Sequence, residues 1–351
     1  MANVSVTQAK DNVTSLLTSF TSIYVPVSTY SGSMIFISVF GIVGNSISIA
    51  VLRRHNLAAT SNLLLMTLCC NDLLVCLLTF NMYGSTLLGD VALDIKSGFL
   101  KSFQNTVYFF SFIVENVLII HGLILTTSIA IERLTAVCFP FQVSRIFSSF
   151  RVKCFIVIIY LVIFIMAIPF YLRYTIALTY SNEFNCTIVV YIESVYFISH
   201  KEIFETYLVS VFSNIIIITC LTTIVVSTIV IIVRIVWRKF QNFTANDSRR
   251  RNMNQSRIVK MLLTMCSITF LAYSTNATIE GILVNSDLEF YIYIFQLFKR
   301  LTHVFYLINP TTNFIIFICM SSKFRSHFII VLFGFARRCK LSSKITSAEE
   351  L

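Results

Sequence analysis

Apolar residues in this chain gather into long runs, and polar ones fall between them. Seven runs of about 20 residues or more stand near 30–52, 61–88, 104–137, 153–175, 203–236, 258–284 and 290–320. A helix needs ~20 such residues to cross the ~30 Å hydrocarbon layer of a bilayer, so each run predicts a membrane-spanning helix. Several runs exceed that length, which predicts tilt or extension beyond the bilayer. Polar residues interrupt the third, fifth and seventh runs, and Asn276, Thr278 and Glu280 interrupt the sixth. The expected fold is an all-α membrane protein, a seven-helix bundle over 30–320, preceded by a polar tail at 1–29 and followed by a basic tail at 321–351.

Composition agrees. Hydrophobic residues make up 56%, charged residues 12%, and mean hydropathy is +0.82. A soluble domain is about a quarter charged; half that charge cannot clothe a globule in water. Residues 1–30 are rich in Ser and Thr and lack the basic-then-apolar order of a cleavable signal, so the first run is expected to serve as the insertion signal. With the N-terminus outside, 20 of the 27 basic residues and five of the 16 acidic ones fall on the inner side. The inner half then carries +15 and the outer half −4, the asymmetry of a multi-pass protein with an extracellular N-terminus. The overall +11 is therefore charge next to membrane spans, where it sets topology and meets anionic lipid, and does not point to nucleic acid.

Eight of the ten cysteines lie in or beside apolar runs and read as small buried hydrophobes. Cys186 falls in an outer loop with no evident partner, and Cys339, in a basic juxtamembrane tail, is a palmitoylation candidate. Asn3, Asn12 and Asn185 head N-x-S/T triplets in outer segments and are glycosylation candidates, although the same triplet recurs at Asn242, Asn246, Asn254 and Asn276 inside or within the membrane.

Ionisable residues inside a span cost ~2.5–3.5 kcal/mol on insertion scales and call for a reason. Asp72 stands mid-way along the second run and Asn45 in the centre of the first; Asn309 and Asn313, four apart, share one face of the seventh. They form either one buried polar cluster or plain interhelical hydrogen bonds. Glu115 lies toward the outer half of the third run, with Glu280, Lys299, Arg300 and His303 at similar depth on the sixth and seventh. An outer cavity holding Glu115 and Glu280 suits a cationic ligand. Glu115 paired with a neighbouring His or Arg is instead structural. Glu132-Arg133 marks the inner end of the third run.

The surroundings of that pair carry a resemblance. Ala130-Ile131-Glu132-Arg133-Leu134-Thr135-Ala136-Val137-Cys138-Phe139-Pro140 resembles the inner end of helix three in rhodopsin-like G-protein-coupled receptors. Gly44-Asn45 resembles their helix-one anchor, and Asn62 through Asp72 their helix two. Asn309 through Arg325 resembles helix seven and the short amphipathic helix after it. Either Asn309-Pro310 or Asn313-Phe314-Ile315-Ile316-Phe317 takes the place of the family's N-P-x-x-Y; spacing to Phe324-Arg325 favours the second. That version, and the stretch from Glu132 to Arg151, is similar to invertebrate FMRFamide-type neuropeptide receptors.

The resemblance implies ligand-driven activation of a heterotrimeric G protein at the plasma membrane, with no catalysis. It implies that Glu132 and Arg133 couple to the G protein, together with the loop 237–257. It places Glu115 among the ligand contacts, with Glu280, Arg300, His303 and Tyr273 as further candidates, and suits an amine or an amidated, Arg-bearing peptide. Asp72, Asn309 and Asn313, with Asn45, match the family's sodium-linked cluster, although Gly122 stands where a Ser is common. Other departures are Tyr108 for the helix-three Cys, Leu134 and Phe317 for two Tyr, Ile159 or Tyr160 for a helix-four Trp, and Ala272-Tyr273-Ser274-Thr275 with no Pro in helix six. A chemosensory small-molecule or amine receptor of the same fold is the alternative within receptors. A transporter would show repeats and Gly- or Pro-broken helices, which are missing. An opsin would need a Lys where Leu307 stands, and no nucleophile-base pair or metal spacing suggests an enzyme.

Overall fold

A computed structural model describes residues 27–54, 60–205, 207, 215–241, 264, 267–271, 273, 274, 290–320 and 324–330. Its long helices are α1 (Val27–Leu52), α2 (Thr60–Asp94), α3 (Gly98–Cys138), α5 (Ser149–Met166), α9 (Ile216–Gln241) and α10 (Phe290–Met320). In hydrocarbon every backbone N–H and C=O must be paired within the segment, which is why apolar runs become helices. Between them lie short elements: α4 (Val143–Ile146), α6 (Ile168–Leu172), β1 (Tyr174–Ser181), β2 (Cys186–Glu193), α7 (Val195–Ser199) and α8 (Lys201–Glu205). After α10 comes α11 (Phe324–Ile330), bent 94° from the helix before it. Among the described residues five helices are long and apolar enough to cross a membrane, or six when α10 and α11 are counted together. Of the expected sixth run only 264, 267–271, 273 and 274 are described, and they are helical.

Several boundaries differ from the hydropathy runs for physical reasons. The third helix is 41 residues, not 34; at 1.5 Å per residue it spans about 60 Å, twice the hydrocarbon thickness. It starts at Gly98 because Ser97 Oγ accepts from Leu100 N and caps it. The fourth run stops short of 175. Pro169 lacks the N–H that would bond back to Ile165, so α5 ends at Met166 and α6 starts a new turn. Of the fifth run, Lys201–Glu205 and Ile216–Gln241 are described as helix, and residues 206 and 208–214 lie outside the described residues.

The β1–β2 hairpin is an element that hydropathy did not predict. Its strands pair antiparallel from Tyr174 opposite Glu193 to Ser181 opposite Cys186, and Asn185 takes the left-handed conformation (φ 50°) that closes the turn. It packs on the N-terminal reach of α3. Asn105 Nδ2 donates to Val189 O (2.8 Å), Val189 N donates to Ser102 Oγ (3.1 Å), and Phe109 stacks on Tyr191 at 3.8 Å. Arg173 Nη2 donates to Glu193 Oε1 at 2.7 Å, fixing the base of the hairpin. Cys186 is a free thiol lying against Gly98, where a side chain would overlap its sulfur. This docking uses hydrogen bonds and ring stacking, so the hairpin sits on α3 without a disulfide.

α3 is the hub: it packs against α2, α9, β2 and α5, while α10 closes the bundle on α1 and α2. The largest apolar cluster lies at the Arg133 end and includes Leu52, Leu64, Leu68, Leu125, Ile129, Ile231, Ile316 and Phe324. Close helix approach is bought by small residues: a Cβ at Gly41 would overlap Cys76 Sγ, and one at Gly44 would stand 3.0 Å from Cβ of Phe314. Large apolar side chains such as Phe36, Phe40, Leu161 and Phe164 face outward, as a lipid-solvated surface requires. Arg325 Nη1 donates to Ile318 O and Cys319 O (3.0 and 2.8 Å), capping α10 and turning α11, whose Phe324 packs on Phe317 at 5.6 Å.

Candidate functional site

Three buried polar layers are strung along α3, at Glu115, at His121-Gly122 and at Glu132. Seventeen residues separate the first from the last, about 25 Å of helix. In each layer α2 supplies a rung to α3: Thr79 to Glu115, Asn71 to His121, and Ser61 to Glu132. The helices run antiparallel, so partners on α2 rise in number as those on α3 fall. Each rung satisfies a group that would be costly to leave bare in hydrocarbon.

The layer nearest the hairpin centres on Glu115, which is 2% exposed. Thr79 Oγ1 reaches Glu115 Oε1, and His303 Nε2 of α10 lies 3.3 Å from the same oxygen. The other ring nitrogen, Nδ1, is 2.7 Å from Tyr83 Oη, and Tyr83 Oη is 3.0 Å from Tyr30 Oη. One assignment satisfies the whole chain: Tyr30 donates to Tyr83, Tyr83 to His303 Nδ1, and His303 Nε2–H to the Glu115 carboxylate. The relay ties α1, α2, α3 and α10 together. The Arg300 guanidinium lies 5.4 Å from the Tyr30 ring centroid, a cation–π distance. Glu115 thus pairs with His303, not with Arg300.

The middle layer holds Asp72, 4% exposed, whose Oδ2 accepts from Asn313 Nδ2 at 2.7 Å. Asn45 Nδ2 donates to Gly41 O (3.0 Å) and, across the helix pair, to Pro310 O (3.1 Å). Asn71 Oδ1 accepts from His121 Nδ1 at 2.8 Å, and Asn71 Nδ2 donates to Leu118 O. His121 in turn lies 3.8 Å from the Tyr160 ring. Asn309 turns away from this group: its Oδ1 accepts from Thr269 at 3.0 Å and links the sixth helix to α10. A Cβ at Gly122 would stand 2.9 Å from Asn71 Nδ2, so the asparagine fills the space a side chain there would need. A sodium ion takes oxygen ligands. Here an amide nitrogen occupies Asp72 Oδ2 and Gly122 brings no hydroxyl, while Asn45 Oδ1 is buried without a hydrogen-bond partner among the described residues.

At the far layer Ser61 Oγ donates to Glu132 Oε1 at 2.8 Å, and Arg133 Nε lies 3.4 Å from Glu132 Oε2. Neither Glu132 Oε2 nor Arg133 Nε has a hydrogen-bond partner among the described residues. The two charges meet as an ion pair without a formed hydrogen bond, weaker than a charge-assisted contact.

Residues 29–334 match the family model of the serpentine type 7TM GPCR chemoreceptor Srw. The chain belongs to this family. No curated protein matches the chain.

The receptor is therefore a multi-pass G-protein-coupled receptor, with a G protein and an extracellular ligand as its partners. The narrower likeness to FMRFamide-type receptors rests on the motifs alone. Of the sequence-derived ligand candidates, the fold brings Glu115 and His303 into contact and sets Arg300 beside them through Tyr30. Tyr273 is elsewhere: 3% exposed, it donates to Ile119 O at 2.9 Å and lies 4.8 Å from the Tyr306 ring, joining the sixth helix to α3 and α10. Glu280, Asn3, Asn12 and Cys339 lie outside the described residues. Thr79, Tyr83, Tyr30, Asn71, His121 and Ser61 complete the layers and were not singled out from sequence. Their only signal was a polar residue inside an apolar run, which Ser and Thr also give when they merely bond their own helix, as Ser38 does to Met34 O.

Proposed function

We propose that the chain is a plasma-membrane chemoreceptor for a small cationic ligand, with its N-terminus and hairpin outside and Arg133 facing the cytoplasmic G protein. The observation that carries this reading is the Glu115–His303 pair: a buried carboxylate held by a histidine on another helix. An ammonium or guanidinium group entering there competes with His303 for Glu115 Oε1 and brings a permanent positive charge with several N–H donors to the carboxylate. Release of His303 frees α10 from Tyr83 and Glu115 at that end. α10 also carries Asn313 against Asp72 and Pro310 against Asn45, so a shift of the helix reaches the middle layer. The weakly held Arg133 is then the group a G protein captures at the other end. Ligand and G protein each favour the same rearranged state, and their effects on one another are reciprocal, typically ~5–150-fold in affinity.

The chemosensory reading is preferred to a neuropeptide one because the family is one of chemoreceptors and the anchoring charge lies deep in the bundle. The positive-inside charge distribution supports the orientation. The test is G-protein activation in cells expressing the receptor, with biogenic amines and amidated Arg-containing peptides as separate panels. An amine response lost in both Arg133→Ala and Glu115→Gln supports the proposal. A peptide response retained in Glu115→Gln refutes it in favour of the neuropeptide reading.

A further inference from the structure

A cavity of about 300 Å³ opens at the Arg133 end between α2, α3, α4 and α5, outside the three polar layers. Its wall is apolar: Leu64 and Val152 are fully buried in it, and Phe147 and Ile131 close its sides. Ile146 and Phe155 of its lining are 46% and 42% exposed, so the cavity is open to its surroundings through apolar side chains. The polar lining is slight. Ser128 Oγ is spent on Ile124 O. Arg151 is the cation of the lining, and its Nη1 reaches the Arg145 carbonyl oxygen. Among the described residues no carboxylate pairs with Arg151 or Arg145. The volume is at the lower end of the ~300–1,000 Å³ of small-molecule sites, room for one chain and not a whole lipid.

We propose that this cavity holds an acyl chain of an anionic phospholipid, whose headgroup pairs with Arg151. It rests on the orientation given above, since anionic lipid lies in the cytoplasmic leaflet. An apolar slot with one unpaired guanidinium at its mouth complements an apolar tail ending in a negative head. The slot borders Ser128 and Ile131, the turn that leads into Glu132-Arg133, so lipid bound here braces α4 and α5 against the coupling layer.

The test is photo-crosslinking of the full-length receptor in phosphatidylcholine nanodiscs, using diazirine-bearing phosphatidylserine or phosphatidylcholine, with the labelled residues mapped by peptide mass spectrometry. Both faces of a nanodisc carry both lipids, so the outcome does not depend on orientation or on G-protein coupling. Labelling within 143–155 is expected to favour the serine lipid about fivefold, the preference one basic residue confers near a membrane surface. Arg151→Gln should abolish that preference, Arg151→Lys should keep it, and Ile131→Trp should lower labelling by both lipids. Equal wild-type labelling by the two lipids overturns the proposal, whether or not the variants fold. So does serine-lipid labelling that survives both Arg151→Gln and Ile131→Trp in monodisperse receptor, or displacement by free oleate with no preference between phospholipids.

Discussion

Replacing His303 with Leu removes the one described side chain that links α10 to both Glu115 and Tyr83. Leucine fills much of the same volume, so the loss is mainly polar. The Glu115 carboxylate, 2% exposed, is left with the Thr79 hydroxyl alone. Breaking a buried pair by removing one partner costs ~3–5 kcal/mol. His303 keeps 20% of its side-chain surface exposed, which screens the pair, and the expected cost is about 2 kcal/mol. Glu115→Gln should cost less than about 1 kcal/mol, because the amide keeps contact with Thr79 and His303 and no charge is buried. The double variant should then be at most as unstable as His303→Leu alone, since no carboxylate is stranded. Thermal unfolding of purified receptor in nanodiscs, run as a double-mutant cycle, measures the coupling directly. A coupling energy below about 0.5 kcal/mol would refute the claim that these two side chains hold each other.

Other consequences follow from the geometry. Arg133→Ala should abolish ligand-stimulated G-protein activation and lower stability by about 2 kcal/mol, read from the thermal midpoint, because it leaves the Glu132 carboxylate, 3% exposed, with the Ser61 hydroxyl alone. Gly41→Val should destabilise the bundle by ~1–3 kcal/mol, since its branches would enter the space of Cys76 and Thr311; the thermal midpoint reports it. Phe109→Ala removes the ring stacked on Tyr191 and should speed hydrogen exchange in 186–193 while α3 amides below Glu115 stay protected. Cys186→Ser should leave both stability and ligand potency unchanged, since its sulfur closes no bridge, and a dose–response curve checks the second.

The order of polar groups in these layers explains how far sequence alone reaches. Hydropathy located the spans because a bilayer admits few backbone solutions: a run of ~20 apolar residues must form a helix there whatever its neighbours do. The same rule exposed Asp72 and Glu115, since a charge inside such a run is costly and therefore conspicuous. That the chain is a G-protein-coupled receptor was legible too, because local motifs in a fixed order, the Glu132-Arg133 segment among them, carry it. What only the tertiary structure decided is which group meets which. His303, Lys299 and Arg300 were equivalent partners for Glu115 on paper; rotation of α10 about its axis brings His303 to the carboxylate and leaves Arg300 over Tyr30. Asn309 and Asn313 share a face, yet one meets Thr269 of the sixth run and the other Asp72 of α2, partners that only the packing of the helices supplies. The hairpin escaped notice because nearly all of it falls between two apolar runs and read as a loop; two eight-residue strands show themselves only by pairing with each other and docking onto α3. Sequence fixes an element when its surroundings leave one choice; pairings across helices depend on rotation and depth, which no single run contains.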